Sequence, residues 1–240
     1  MTTSSPFKPS SYDSPGKARY HEDIASFLYH SREHGARLWN DDKTKLAAKI
    51  VELAGPDADK TIRFFDGERG IVEDGGIIFV DDDAANIARF RDEFPRFSWI
   101  HGNLFDLLHD DRLEEAGILL VDGFSEVGDR RIASQLPNIH GLIRKSIAKR
   151  GSFALAINCV LDTVVRRKRT RASALREWSR VLAKGLSGYL PRRTLDPESL
   201  LPAELAGKVD EDGQFVGPLG SFFISKSHVQ RMANFRVLLV

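Results

Sequence analysis

The sequence predicts an α/β fold: a Rossmann-like, mostly parallel sheet with a C-terminal antiparallel hairpin and an N-terminal helical extension. Three observations predict it. Short runs, apolar at consecutive positions, follow one another between residues 62 and 157, as strands buried on both faces require. Helical stretches lie between several of these runs, and helical crossovers imply parallel pairing. Two further apolar runs near the carboxyl end are separated by a short connection, which suits antiparallel neighbours.

Residues 1–16 are rich in Ser, Thr and Pro and read as a disordered tail. From Lys17 to His34, Ile24, Phe27 and Leu28 recur at helical spacing. A second helix is expected from Asp41 to Ala54, where Asp41 or Asp42 can cap and Leu46, Ile50 and Leu53 share a face. Gly55-Pro56 would stop it. These two helices form an extension over 17–56, and the α/β domain spans 57–240. Strands are expected at Ile62–Phe65, Ile77–Val80, Phe97–Ile100, Ile118–Val121 and Phe153–Ile157, with helices at Ala84–Glu93, Arg130–Lys149 and Ala172–Lys184. Ser221–Ser225 and Phe235–Val240 form the final pair. The apolar end Arg236-Val-Leu-Leu-Val240 is expected to insert into the sheet.

Composition narrows the class. The 240 residues include 35 Lys plus Arg, 34 Asp plus Glu and a hydrophobic fraction of 42%, as in an ordinary globular protein. A single cysteine, Cys159, excludes an internal disulfide framework and a Cys-rich zinc site, and points to a reducing, cytoplasmic home. No apolar run approaches the roughly 18 residues of a membrane span. The amino end lacks the apolar core of a secretion signal.

Charge is unevenly placed. Residues 163–193 carry a net +9 in a chain whose total is +1. Arg166, Arg167, Lys168, Arg169 and Arg171 open that stretch, which has the footprint of a nucleic-acid-binding surface because each cation neutralising a phosphate releases a counterion. Trp178 and Tyr189 could stack bases of a single strand. The plainer reading is a solvated helix face that keeps the chain soluble.

In an open α/β sheet, ligands bind outside the carboxyl ends of the parallel strands. The residues to weigh are therefore Asp66-Gly67-Glu68-Arg69-Gly70, Asp81-Asp82-Asp83, His101-Gly102-Asn103, Asp122-Gly123 and Asn158-Cys159. Glycine lets backbone approach a ligand, and a strand-tip carboxylate can accept two ribose hydroxyls. Acids and glycines also end strands and cap helices for no functional reason.

The run Gly76-Ile-Ile-Phe-Val-Asp81-Asp-Asp-Ala-Ala-Asn86, followed by Phe97-Ser-Trp-Ile-His-Gly102-Asn103-Leu-Phe-Asp106, resembles the class I S-adenosylmethionine-dependent methyltransferases. The resemblance covers about residues 60–160 and 220–240. It implies S-adenosylmethionine as cofactor, with Asp81 as the ribose acid beside Asp82. Asn103 stands where the family has an adenine-side Asp, and Leu104 adds backbone and apolar contact. Asp66, Gly67 and Gly70 would form the loop after the first strand, and Asp122, at the tip facing the methyl group, is the catalytic candidate. The last two strands resemble the family's reversed final hairpin.

Two features depart from that family. Only six residues separate Gly70 from Ile77, too few for the crossover helix that follows the family's first strand. The fourth tip, Asp122-Gly-Phe-Ser-Glu-Val, also lacks the Asn/Asp-Pro-Pro-Tyr/Phe motif of amino-methylating nucleic-acid enzymes. Two functions stay open: a methyltransferase with nucleic acid as acceptor, and a catalytically silent nucleic-acid-binding or scaffold protein on the same fold.

Other patterns carry less. Phe79-Val-Asp81-Asp82-Asp83 with Ile118–Asp122 resembles a phosphoacceptor receiver domain, but no late strand ending in Lys follows Phe153–Ile157. His30-x-x-Glu33-His34 matches a zinc-protease pattern without an indicated third ligand. His101, His140 and Cys159 read as structural or surface residues, and no metal site is expected.

Overall fold

The computed structural model describes residues 15–33, 36–108, 110–126, 130–160, 214–217, 220–224 and 232–239. The first element is α1 (Pro15–Glu33), which turns Ile24, Phe27 and Leu28 into the core. The expected second helix does not form. Residues 37–48 run through turns with an isolated antiparallel bridge between Trp39 and Leu46, and Lys49–Leu53 is a strand, β1. The spacing of Leu46, Ile50 and Leu53 fits a helix, yet Val51 is as fully buried as Ile50. Two adjacent β-branched residues buried on opposite sides belong to a strand lying between two others.

The expected strand at Ile62–Phe65 is likewise overturned. That stretch is helical: α2 (Ala58–Ile62) continues into a π-helical segment, Arg63–Glu68. Ala58, Ile62 and Phe65 lie on the buried face at i, i+4 and i+7. The helix ends at Gly70, whose φ of +58° is the left-handed value of a C′ glycine, with the Ile71 N–H donating back to the Phe65 carbonyl. This helix is the crossover from β1 to the next strand. The six residues after Gly70 only return the chain to the sheet.

From there the order is β2 (Ile77–Asp81), α3 (Ala84–Glu93), β3 (Ser98–His101), α4 (Leu104–Leu107), β4 (Ala116–Glu126), α5 (Arg130–Arg150) and β5 (Phe153–Val160). The strands β6 (Gln214–Gly217), β7 (Gly220–Ile224) and β8 (Met232–Leu239) follow. Among the described residues the sheet order is β3-β2-β1-β4-β5-β8-β7-β6. Strands β1 to β5 pair in parallel, whereas β8 runs antiparallel to both β5 and β7, and β6 antiparallel to β7. The expected helix at Ala172–Lys184 lies outside the described residues.

Alternation along the strands builds two cores. Ile50, Ile77, Phe79, Ile118, Leu120, Ala154, Ala156 and Leu238 face α1, α2 and α3. Val51, Ile78, Val80, Leu119, Val121, Leu155 and Ile157 face Leu104 of α4 and Ile139, Leu142 and Ile143 of α5. Among the described residues no helix is long and apolar enough to cross a membrane.

Candidate functional site at the carboxyl edge of the sheet

Because α2 and α3 cover one face while α4 and α5 cover the other, the winding of the chain reverses between the neighbouring strands β1 and β4. The crevice beyond their carboxyl ends is the place where such a sheet binds ligands. The register marks where it begins. Val80 pairs with Leu53 and Ile100, and Val121 with Ile157, giving an apolar row across the sheet. One residue further on, Asp81 pairs with His101, Asp122 with Asn158, and Asn158 with Asn234. The sheet turns polar in a single step.

At the end of β1 the chain passes through Ala54, whose N–H donates to the Val80 carbonyl, into Gly55. Gly55 holds φ +58°, and a Cβ added there would meet nothing within 4 Å. The turn is therefore open on that side. Its outer part is braced by Arg89 of α3, whose Nη2 donates to the Pro56 carbonyl at 2.9 Å. Asp57 follows at the N-terminus of α2, but no backbone N–H of that helix donates to its carboxylate. Its Oδ2 is buried without a hydrogen-bond partner among the described residues, and its Oδ1 lies 3.7 Å from Lys60 Nζ.

At the end of β2, Asp81 is 6% exposed. Its Oδ1 accepts from the Asp83 N–H at 2.9 Å and its Oδ2 from Asn86 Nδ2 at 3.3 Å. Burial pushes this carboxyl above the ordinary aspartate value; the two hydrogen bonds oppose that rise, and the neighbouring charges of Asp82 and Asp83 add to it. An ionised carboxylate has about four acceptor positions, so the two bonds leave capacity for a pair of hydroxyls. Asp82 is exposed, and its carbonyl lies 3.1 Å from His101 Nε2. Asp83 caps α3, accepting from the N–H groups of Ala85 and Asn86.

The tip of β3 is tied to that of β2 by the Gly102 N–H, which donates to the Asp81 carbonyl at 2.9 Å. Asn103 is exposed and caps α4 through Oδ1, which accepts from the Phe105 N–H at 2.9 Å. Its amide group is the part left to address a ligand. The Leu104 side chain is packed into the core at 1% exposure, so what it offers at this edge is backbone. Asp122 enters the site through the register of β4 alone.

Asp81, Asp82, Asn103 and Asp122 are thus brought to one edge. Asp66, Gly67 and Gly70 are not, which corrects the expectation for the loop after the first strand. They sit at the far end of the α2 crossover, where the chain has already returned toward the start of β2. Arg96, just before β3, holds the Asp66 carboxylate there. The turn they were expected to supply is Ala54–Asp57. A β-branched pair, then Gly-Pro, then apolar residues at 58, 62 and 65 is a strand–turn–helix signal that was present in the sequence. Arg166, Arg167, Lys168, Arg169 and Arg171 lie outside the described residues, as does His34. Among the described residues no group of three His, Cys, Asp or Glu could hold a metal ion.

No protein-family model and no curated protein sequence matches this chain. Solved structures do. The plantazolicin methyltransferase BamL, in complex with a triazolic desmethylPZN analog and SAH, matches with a TM-score of 0.45 and 10% identity over 93% of this chain and 89% of that one. The N-methyltransferase NodS from Bradyrhizobium japonicum WM9 matches with a TM-score of 0.44 and 12% identity over 95% and 98%. The CurJ carbon methyltransferase matches with a TM-score of 0.37 and 13% identity over 81% and 49%.

Proposed function

We propose that this protein is a class I type S-adenosylmethionine-dependent methyltransferase, with the cofactor held along the tips of β1, β2 and β3. The observation that carries the reading is the pairing of an open Gly55 turn at the β1/β4 reversal with a buried, ionisable Asp81 at the adjacent β2 tip. The residues present fit the cofactor. Asp81 accepts the ribose hydroxyls, the Asn103 amide and Leu104 backbone address the base, and the Gly55 turn accommodates the methionyl end. In this reading β7 and β8 play the part of the family's reversed final hairpin, and the cytoplasm is where the protein works.

When bound, the sulfonium supplies an electrophilic methyl group. The chain's own task is alignment: to hold an acceptor in line with that methyl and to keep competing water out. Asp122, level with Asp81 by register, is assigned to the acceptor side, where a carboxylate can orient an amine or hydroxyl or take its proton.

The sequence observation that favoured a catalytically silent protein was the missing crossover helix, and α2 with its π-helical continuation supplies that helix. Nucleic acid as acceptor is read from charge alone, the net +9 of residues 163–193. Calorimetry with S-adenosylmethionine and S-adenosylhomocysteine tests the cofactor reading, and absence of heat at millimolar ligand sinks it. For the acceptor, the triple change of Arg166, Arg167 and Arg169 to Ala should lower the salt-dependence slope of RNA or DNA binding by about 3. An unchanged slope and affinity removes nucleic acid from the reading.

A further inference from the structure

On the α1 face of the sheet, five ionisable side chains are almost wholly buried: Tyr20, His21 and Asp23 of α1, Glu52 of β1 and Arg236 of β8. Thr61 of α2, 1% exposed, stands among them. Its Oγ1 donates to Glu52 Oε1 at 2.9 Å and lies 3.3 Å from His21 Nε2. A hydroxyl has one proton. With that proton given to Glu52, Thr61 meets His21 as an acceptor, in the tautomer that carries its hydrogen on Nε2. The ring is held in place by Phe64, stacked at 5.3 Å, and by the edge of Phe65 at 5.9 Å.

The placement of these residues in the chain gives the bond its consequence. Glu52 is the last residue of β1 on the α1 face of the sheet, and Thr61 is one turn into α2. Between them runs the Ala54–Asp57 turn. The Thr61–Glu52 hydrogen bond therefore closes the base of that turn, fixing the spacing between the strand that enters it and the helix that leaves it. His21 fastens α1 to the same point. A buried bond to a carboxylate in a low-dielectric setting is a strong tie, and losing one partner leaves the other costly to bury.

We infer that Thr61 is a positioning residue: its hydroxyl clasps the base of the Ala54–Asp57 turn and, through His21, makes the turn's ligand-binding geometry depend on the docking of α1. The inference rests on the cofactor reading above for the ligand it invokes, and on the hydrogen bonds alone for the clasp.

The test compares Thr61→Val, which keeps the shape but removes the hydroxyl, with Thr61→Ser, which keeps the hydroxyl. Calorimetry with S-adenosylhomocysteine should show about a tenfold loss of affinity for Thr61→Val and a value within about twofold of wild type for Thr61→Ser. His21→Leu should follow Thr61→Val. Amide hydrogen exchange of residues 54–58 in the free protein gives a second readout that needs no cofactor: it should quicken in Thr61→Val and not in Thr61→Ser. Equal affinity and equal exchange in Thr61→Val and wild type overturn the clasp. So does a parallel loss in both Thr61 variants, since packing rather than the hydroxyl would then be responsible. If wild type gives no heat with the ligand, the cofactor reading falls, and the exchange comparison decides the clasp.

Discussion

At Asp81 the proposed function and stability pull in opposite directions. Its carboxyl is lifted above the ordinary aspartate value chiefly by burial. A group whose folded value is raised costs stability when ionised; that cost is present at neutral pH and is relieved as the pH falls through the folded value. Asp81→Asn should accordingly raise the melting temperature of the free protein at pH 7 and, by removing a charged acceptor, weaken S-adenosylhomocysteine about tenfold or more. Wild-type affinity should decline on acidification through that same raised value, read by calorimetry at successively lower pH. Gly55 makes a complementary case. Nothing stands where its Cβ would go, yet its φ of +58° disfavours any L side chain, so Gly55→Ala should cost about 1–2 kcal/mol in a denaturant titration. A larger proportional loss in cofactor affinity than in stability would mark the open space as ligand space.

Among the elements, success and failure of the sequence reading divide by how many faces an element buries. Helix α3 begins and ends where its amphipathic pattern says, because one stripe alone, Ile87 and Phe90, packs on the sheet and Asp83 caps it. Asp83→Ala should remove that cap and cost about 1 kcal/mol in urea unfolding. Strands β2 and β5 were legible for the opposite reason: every residue of Ile77–Val80 and Phe153–Ile157 is buried, and nothing polar interrupts the run. β1 was not legible. Glu52 breaks its apolar run, and without Thr61 and His21 in view a central buried carboxylate cannot be told from an exposed one. The neighbouring Ile62-Arg63-Phe64-Phe65 failed in the reverse sense, since three apolar residues in four look like a strand until the π-helical turn lets Phe64 and Phe65 both pack inward.

At the scale of the whole molecule, the amino- and carboxyl-terminal elements meet. Arg236 of β8, 1% exposed, lies 3.8 Å from Asp23 of α1 through Nη2. Removing one member of a buried ion pair strands the other, so Arg236→Ala should cost about 3–5 kcal/mol in chemical denaturation. The double change Arg236→Met with Asp23→Asn should recover much of it. An outcome near zero would mean that α1 is held by its apolar face alone, through Ile24, Phe27 and Leu28.

The amino-acid sequence by itself determined the class of fold, the presence of α1, the extent of α3, and the polar tips at Asp81, Asn103 and Asp122, because each depends on local pattern or on uniform burial. Only the tertiary structure decided which strand lies at the centre of the sheet and hence which turn faces the crevice. At that centre the carboxylate at position 52 accepts from the hydroxyl of position 61, which in turn meets the imidazole of position 21. Such partners become neighbours only after the chain has closed on itself, and no spacing along the sequence encodes their meeting.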